Sequence, residues 1–156
     1  MRTTTAFGFL AEEEKKLRKV LKRKWLWDLP ELDLTLNTGI RKGSEYGLTW
    51  DMVDSKGRML NIPRTKNEEP VHVPLNDAAV AALRVVQARG DGRGRVFQSA
   101  KTREPLENSR HWFDDAVLDA GIKNFRWHDL RHTFASTLRM KGALREYIAD
   151  LLGTRV

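Results

Sequence analysis

Three stretches of this chain share one design, an apolar face at helical spacing that stops at a glycine. Trp112, Phe113, Ala116, Val117 and Ala120 are followed by Gly121. Leu130, Phe134 and Leu138 are followed by Gly142, and a final segment of about 144–152 runs into Gly153. Glycine adopts the left-handed conformation that closes a helix with little steric penalty. The pattern therefore predicts helices over about 108–120, 128–141 and 144–152. Another is predicted over about 10–25, where Leu17, Val20, Leu21 and Trp25 share a face. There, Glu12–Glu14 precede Lys15, Lys16, Lys19, Lys22, Arg23 and Lys24, the charge order a helix dipole favours. Asn76 is placed to cap a helix over about 77–88. Pro30 and Gly39 bracket a segment that either opens and closes as a helix or, by its Leu32, Leu34, Leu36 alternation, runs as a strand. The helix is preferred, because Gly39 and a short helix over 43–48 then make a compact turn.

Only one region reads clearly as extended. Met59–Ile62 and Val71–Val73 form two short strands around a polar tip from Pro63 to Pro70, and a strand near Thr49–Val53 is expected to join them. The expected fold class is α+β, mainly helical, with a small antiparallel three-stranded sheet. At 156 residues the chain suits a single domain over 1–156, which would bury roughly 70% of its extended-chain surface.

Charge narrows the function. Lys and Arg number 28 against 21 Asp and Glu, for a formal charge of +7. The excess is uneven. Residues 84–103 hold Arg84, Arg89, Arg93, Arg95, Lys101 and Arg103 against Asp91 alone. Clustered positive charge favours a polyanion such as nucleic acid. The glycines and arginines of 89–95 do not make a phosphate-cradling loop, since no Lys-Ser/Thr follows. With no cysteine there is neither a disulfide framework nor a thiolate zinc site, which is compatible with a reducing, cytoplasmic setting. No apolar run approaches the ~18 residues of a membrane span, and Met1–Thr5 has no apolar leader.

The chemistry concentrates in Trp127-His128-Asp129-Leu130-Arg131-His132-Thr133-Phe134. His128 and Arg131, three apart, share a helix face. A guanidinium forks onto two oxygens and an imidazole moves a proton near neutral pH, so the pair suits phosphate. His128 and His132, four apart, have the spacing of a two-histidine zinc site, with Asp129 in the place of a general base. A zinc hydrolase would need a third ligand, for which His72, His111 or a distant carboxylate would have to serve, and Arg131 would stand beside the metal.

Several motifs occur together in a recognisable order. Thr38-Gly39-Ile40-Arg41-Lys42-Gly43, running on to Leu48-Thr49-Trp50, resembles the first signature box of the tyrosine recombinases, or phage-type integrases. Pro63-Arg64-Thr65-Lys66-Asn67 with Val73-Pro74-Leu75 resembles their catalytic hairpin. His128–Thr133 resembles the second box and Leu151-Leu152-Gly153 the start of the third. The resemblance runs from about Phe9 to Gly153. It implies a tyrosine-recombinase-like catalytic domain acting on double-stranded DNA through a 3′-phosphotyrosine intermediate. Arg41 and Arg131 would clamp the scissile phosphate, Lys66 would protonate the leaving 5′ oxygen, and His128 would act as acid/base near the attacking oxygen. No metal, nucleotide or other cofactor is implied, and no membrane association.

The chain also departs from the family pattern. Thr154 stands where the third box usually has His or Trp. Ser44-Glu45 replaces the acidic residue that usually follows the glycine of the first box directly, and Glu45 is expected at most to orient Arg41. The family nucleophile lies beyond the third box, whereas Tyr46 falls in the first-box helix and Tyr147 before Leu151. Neither matches; Tyr46 is expected to be a core or hydrogen-bonded residue. The expectation is a catalytic domain without its N-terminal DNA-clamping domain or its C-terminal Tyr segment, inactive alone and monomeric, although the family works as tetramers on DNA. A non-catalytic DNA-binding or regulatory remnant on the same fold is the alternative.

Overall fold

A computed structural model describes residues 11–63 and 69–152. Helix α1 (Ala11–Lys24) leads through a 3-10 turn (Leu26–Asp28) into α2 (Leu29–Thr38) and the short α3 (Lys42–Tyr46). A second 3-10 turn (Trp50–Met52) precedes strands β1 (Val53–Asp54), β2 (Met59–Ile62) and β3 (Val71–Pro74). Helices α4 (Asp77–Gln87), α5 (Phe113–Asp119), α6 (His128–Met140) and α7 (Arg145–Leu152) follow. The sheet is antiparallel in the order β1-β2-β3, with Leu60 opposite both Val53 and Val73. The fold is that of a mainly helical α+β domain with a small three-stranded sheet, as the sequence predicts. Among the described residues no helix is long and apolar enough to cross a membrane.

Helix α2 is the axle. It packs against α4 and α6 and also meets α1 and α3. Its buried positions, Pro30, Glu31, Leu32, Leu34, Thr35 and Thr38, therefore do not form a single stripe. A helix covered on several sides has no polar face, which is why its leucines can alternate as a strand's would. Around it, α1 contributes Leu17, Val20 and Leu21, and α4 contributes Ala79, Ala82, Leu83 and Val86. The Asn76 side chain caps α4 by accepting the Ala79 N–H at 2.9 Å, and its amide donates to Asn37 Oδ1 at 2.9 Å, tying the start of α4 to the end of α2.

Two boundaries differ from the sequence expectation. The helix expected from 108 starts at Phe113. Asn108 Oδ1 accepts the Arg110 N–H, and the Ser109 carbonyl accepts those of Trp112 and Phe113, so 108–112 form a turn. The strand expected over Thr49–Val53 is confined to Val53–Asp54. Thr49 makes a single bridge to Arg95, and its hydroxyl donates to the Asp51 carboxylate, which stabilises the 3-10 turn instead. Gly39, Gly121 and Gly142 do end their helices, at φ of 67°, 71° and 90°. Gly153 and Thr154 lie outside the described residues.

Candidate active site

The site begins at the end of α2. Gly39 takes the left-handed conformation, and a Cβ there would lie 2.3 Å from a ring carbon of Phe134 and 2.8 Å from a methyl of Leu152. Only a bare backbone lets α2, α6 and α7 meet this closely. Ile40 is buried, and Arg41, in extended backbone, emerges to the surface as the N-cap of α3.

Helix α6 approaches from the other side. Asp129 Oδ2 accepts the Arg126 N–H at 2.8 Å and fixes the first turn. Trp127 anchors that turn in the core, with ring contacts to Phe113, Tyr46 and Trp112 at 5.2–5.9 Å between centroids. One turn on, Arg131 is the only cation among the buried described residues. Its Nε donates to the Gly39 carbonyl at 2.6 Å and its Nη2 to the Leu152 carbonyl at 2.9 Å. A charged donor bonded to two carbonyls from different helices has its plane fixed before any ligand arrives.

These elements enclose a hollow of about 360 Å³ lined by Arg41, Lys42, Arg126, Trp127, His128 and Arg131. It holds three guanidinium groups, an ammonium and an imidazole, and among the described residues no carboxylate lines it. Three of the four residues singled out in the sequence thus converge. The fourth, Lys66, lies outside the described residues, although the strands carrying its hairpin are paired up to Ile62 opposite Val71. Arg126 and Lys42 were missed. Adjacency to His128 and to Arg41 was the available signal. Lys42 Nζ lies 5.9 Å from the Trp127 ring centroid, a cation–π distance.

Burial pulls the His128 imidazole below its usual pKa, and the neighbouring His132 and Arg131 reinforce the shift. The shift favours the neutral imidazole, the form that can accept a proton. The His128 and His132 rings meet edge to face at 4.8 Å between centroids. Among the described residues no third imidazole or carboxylate joins them into a ligand set. His72 is bonded to Asn61 on the exposed strand face, and His111 is engaged elsewhere. The geometry gives the zinc reading no support.

The tyrosines are also placed. Tyr46 is buried, and its hydroxyl donates to Glu31 Oε1 at 2.7 Å. Burial, with Glu31 and Glu45 nearby, pushes its pKa far up, so it is a core hydrogen-bond donor as expected. Tyr147 is half exposed on α7, beside the Ile148 and Leu151 that bury that helix. Glu45 is fully buried and does not line the hollow. It accepts a hydrogen bond from Thr35, its Oε2 has no hydrogen-bond partner among the described residues, and burial raises its pKa well above the usual carboxylate range.

A second polar cluster lies beneath. Glu31 Oε1 also accepts from Trp112 Nε1 at 3.0 Å, and His111 Nε2 lies 3.0 Å from both Glu31 Oε1 and Asp28 Oδ1. These three could reach one cation, but an imidazolium already fills that role. Although burial opposes it, bonding to Asp28 and Glu31 raises the His111 pKa to about 9, while burial raises that of Glu31 to about 7. The cluster pins the 108–112 turn to α2.

A model of the phage integrase family matches residues 9–155. The integrase of Salmonella phage P22 is 30% identical over 136 residues, which cover 78% of this chain and 35% of that protein. The shufflon-specific DNA recombinase of Escherichia coli is 28% identical over 93% of this chain and 36% of its own length. This chain thus spans about a third of these curated relatives. Among solved structures, XerA recombinase superposes with a TM-score of 0.81 at 22% identity, over 99% of this chain and 58% of that one. At that identity the likeness is one of fold.

Proposed function

Because the chain belongs to the phage integrase family, we propose that it is the phosphate-activating part of a site-specific DNA recombinase. The observation that carries this reading is the convergence of Arg41, His128 and Arg131 on one hollow, with Arg131 held rigid by the Gly39 and Leu152 carbonyls. Attack on a phosphodiester accumulates negative charge on its non-bridging oxygens. Fixed guanidinium donors in a partly desolvated hollow stabilise that charge. Neutral His128 accepts the proton of the attacking hydroxyl, and Lys66 on the hairpin protonates the leaving 5′ oxygen. In the second half-reaction the 5′ hydroxyl attacks the phosphotyrosine and the proton transfers reverse.

In this reading the nucleophilic tyrosine is supplied from outside residues 1–156. Tyr46 is committed to Glu31, and Tyr147 precedes the segment that carries the family nucleophile. Duplex DNA is the partner, with the chain alone a monomer and the longer recombinase a tetramer on DNA. The lambda integrase tetramer bound to a Holliday junction, similar in fold at a TM-score of 0.77 and 20% identity, over the whole of this chain and half of that one, supports that assembly.

The test uses a nicked duplex. The chain alone is expected to bind it in a salt-sensitive manner and to form no denaturation-resistant adduct. Fusing the tyrosine-bearing segment of a relative after Val156 should restore the adduct, and Arg131→Ala in that fusion should abolish it. An adduct mapped to Tyr147 in the unfused chain, or duplex affinity indifferent to salt, would overturn the reading.

A further inference from the structure

Two arginines stack on the Trp27 indole, and two more line the same hollow, away from the active-site hollow. Trp27, in the turn before α2, donates its N–H to the Gln98 carbonyl at 3.0 Å. The guanidinium carbon of Arg89 lies 3.9 Å from its ring centroid and that of Arg103 5.4 Å. Arg103 is held with φ at 63°, a left-handed backbone that non-glycine residues seldom adopt, and its Nη2 donates to the Arg89 carbonyl at 2.7 Å. Arg93 and Arg95 line the same hollow, and Arg95 Nη1 donates to the Tyr46 carbonyl at 3.0 Å.

This cluster is short of counter-charge. None of the four guanidinium groups makes an ion pair among the described residues. Asp91 lines the hollow, but one oxygen of its carboxylate already accepts the Arg93 N–H. Asp28 and Glu31 act on Arg89 through space and are engaged with His111. Burial lowers the Arg89 pKa; Glu31 and Asp28 oppose that shift, and Arg103 adds a smaller push in the same direction as burial. Stacking on Trp27 keeps two like charges together that would otherwise separate.

The position of the cluster says what would neutralise it. Helix α3 has five residues, a rise of roughly 7.5 Å. Arg41 and Lys42 at one end of it line the active-site hollow, and Arg95 is bonded to the last carbonyl at the other. Helix α3 thus links the two hollows across little more than one helical turn. We propose that Arg89 and Arg103, stacked on Trp27, together with Arg93 and Arg95 form a second phosphate-binding surface that holds the duplex beside the cleavage site. This rests on the DNA reading above and extends it to residues that take no part in the chemistry.

The test is the salt dependence of duplex binding by the 156-residue chain, followed by fluorescence anisotropy. Each lost phosphate contact lowers the slope of log affinity against log salt by about 0.9. Arg93→Gln with Arg103→Gln should lower it by about 1.8, equally on unrelated sequences, and leave orthovanadate binding at the Arg131 hollow unchanged. Arg93→Glu, at a side chain with no hydrogen bond of its own among the described residues, should weaken duplex binding at least tenfold without altering the circular dichroism. If wild type binds with a steep slope and both variants match it, the second surface does not exist. Variants that keep the DNA slope but lose affinity for polyglutamate would assign the cluster to an acidic protein instead. A wild type without salt-dependent duplex binding would remove the DNA reading as well.

Discussion

Two residues ninety-two positions apart set the geometry of the site, and each has one demanding role. Gly39 provides a carbonyl in a left-handed turn where no side chain fits, and Arg131 reads that carbonyl while buried. Gly39→Ala combines a strained φ with a methyl group 2.3 Å from Phe134. It should destabilise the domain by about 3 kcal/mol, measured as the midpoint and slope of urea unfolding. An unchanged midpoint would mean that α6 and α7 do not pack on this turn. Arg131→Lys keeps the charge but loses the fork. One ammonium does not reproduce two directed bonds and a ligand-facing edge, so orthovanadate affinity should fall at least tenfold by calorimetry. Arg139→Gln, exposed in the last turn of α6, should leave it unchanged.

At the scale of elements, the glycine-ended helices and the hairpin were legible because each depends on local signals, a left-handed cap or a run of β-branched and apolar residues. Helix α2 was legible only through its ends, Pro30 and Gly39, since burial on several sides removes the periodic stripe. The late start of α5 was not legible. Asn108, Ser109 and His111 form a turn whose purpose, reaching Asp28 and Glu31, appears only when distant segments meet. The candidate site shows the same division. Arg41, His128 and Arg131 stood in recognisable motifs, whereas Arg126 and Lys42 joined them only through the packing of α3 against the start of α6. The Asp28–Glu31–His111 cluster has a consequence for stability. Folding raises the His111 pKa from 6.5 to about 9 and that of Glu31 from 4.5 to about 7. In both cases the folded state binds the proton more tightly, so the stabilisation is full at low pH and fades as pH rises. The His111 contribution is complete below about pH 6.5 and lost through pH 9; that of Glu31 is lost between about 4.5 and 7. Asp28 and Tyr46 face the same cluster, and Arg89 acts on it through space. The thermal midpoint should therefore fall between pH 6.5 and 9, and His111→Gln should flatten that decline. A midpoint that rises over this interval would contradict the ion pair.

Over the whole molecule, the +7 charge is organised. One basic hollow is built on the α2–α3 turn and α6, a second surface on Trp27 and the 89–103 segment, and α3 lies between them. Such a surface gathers a polyanion by long-range attraction and orients it by the few guanidinium groups the fold holds still. In the proposed reading Arg41 and Arg131 act on the same anion. A double-mutant cycle tests it most directly, with orthovanadate titrated calorimetrically into wild type, Arg41→Gln, Arg131→Gln and the double variant. Two guanidinium groups on one ligand predict that each single variant loses at least tenfold in affinity and that the losses do not add, with a coupling energy of about 0.5–3 kcal/mol. Strictly additive losses, or an affinity indifferent to either residue, would show that the two arginines serve separate sites.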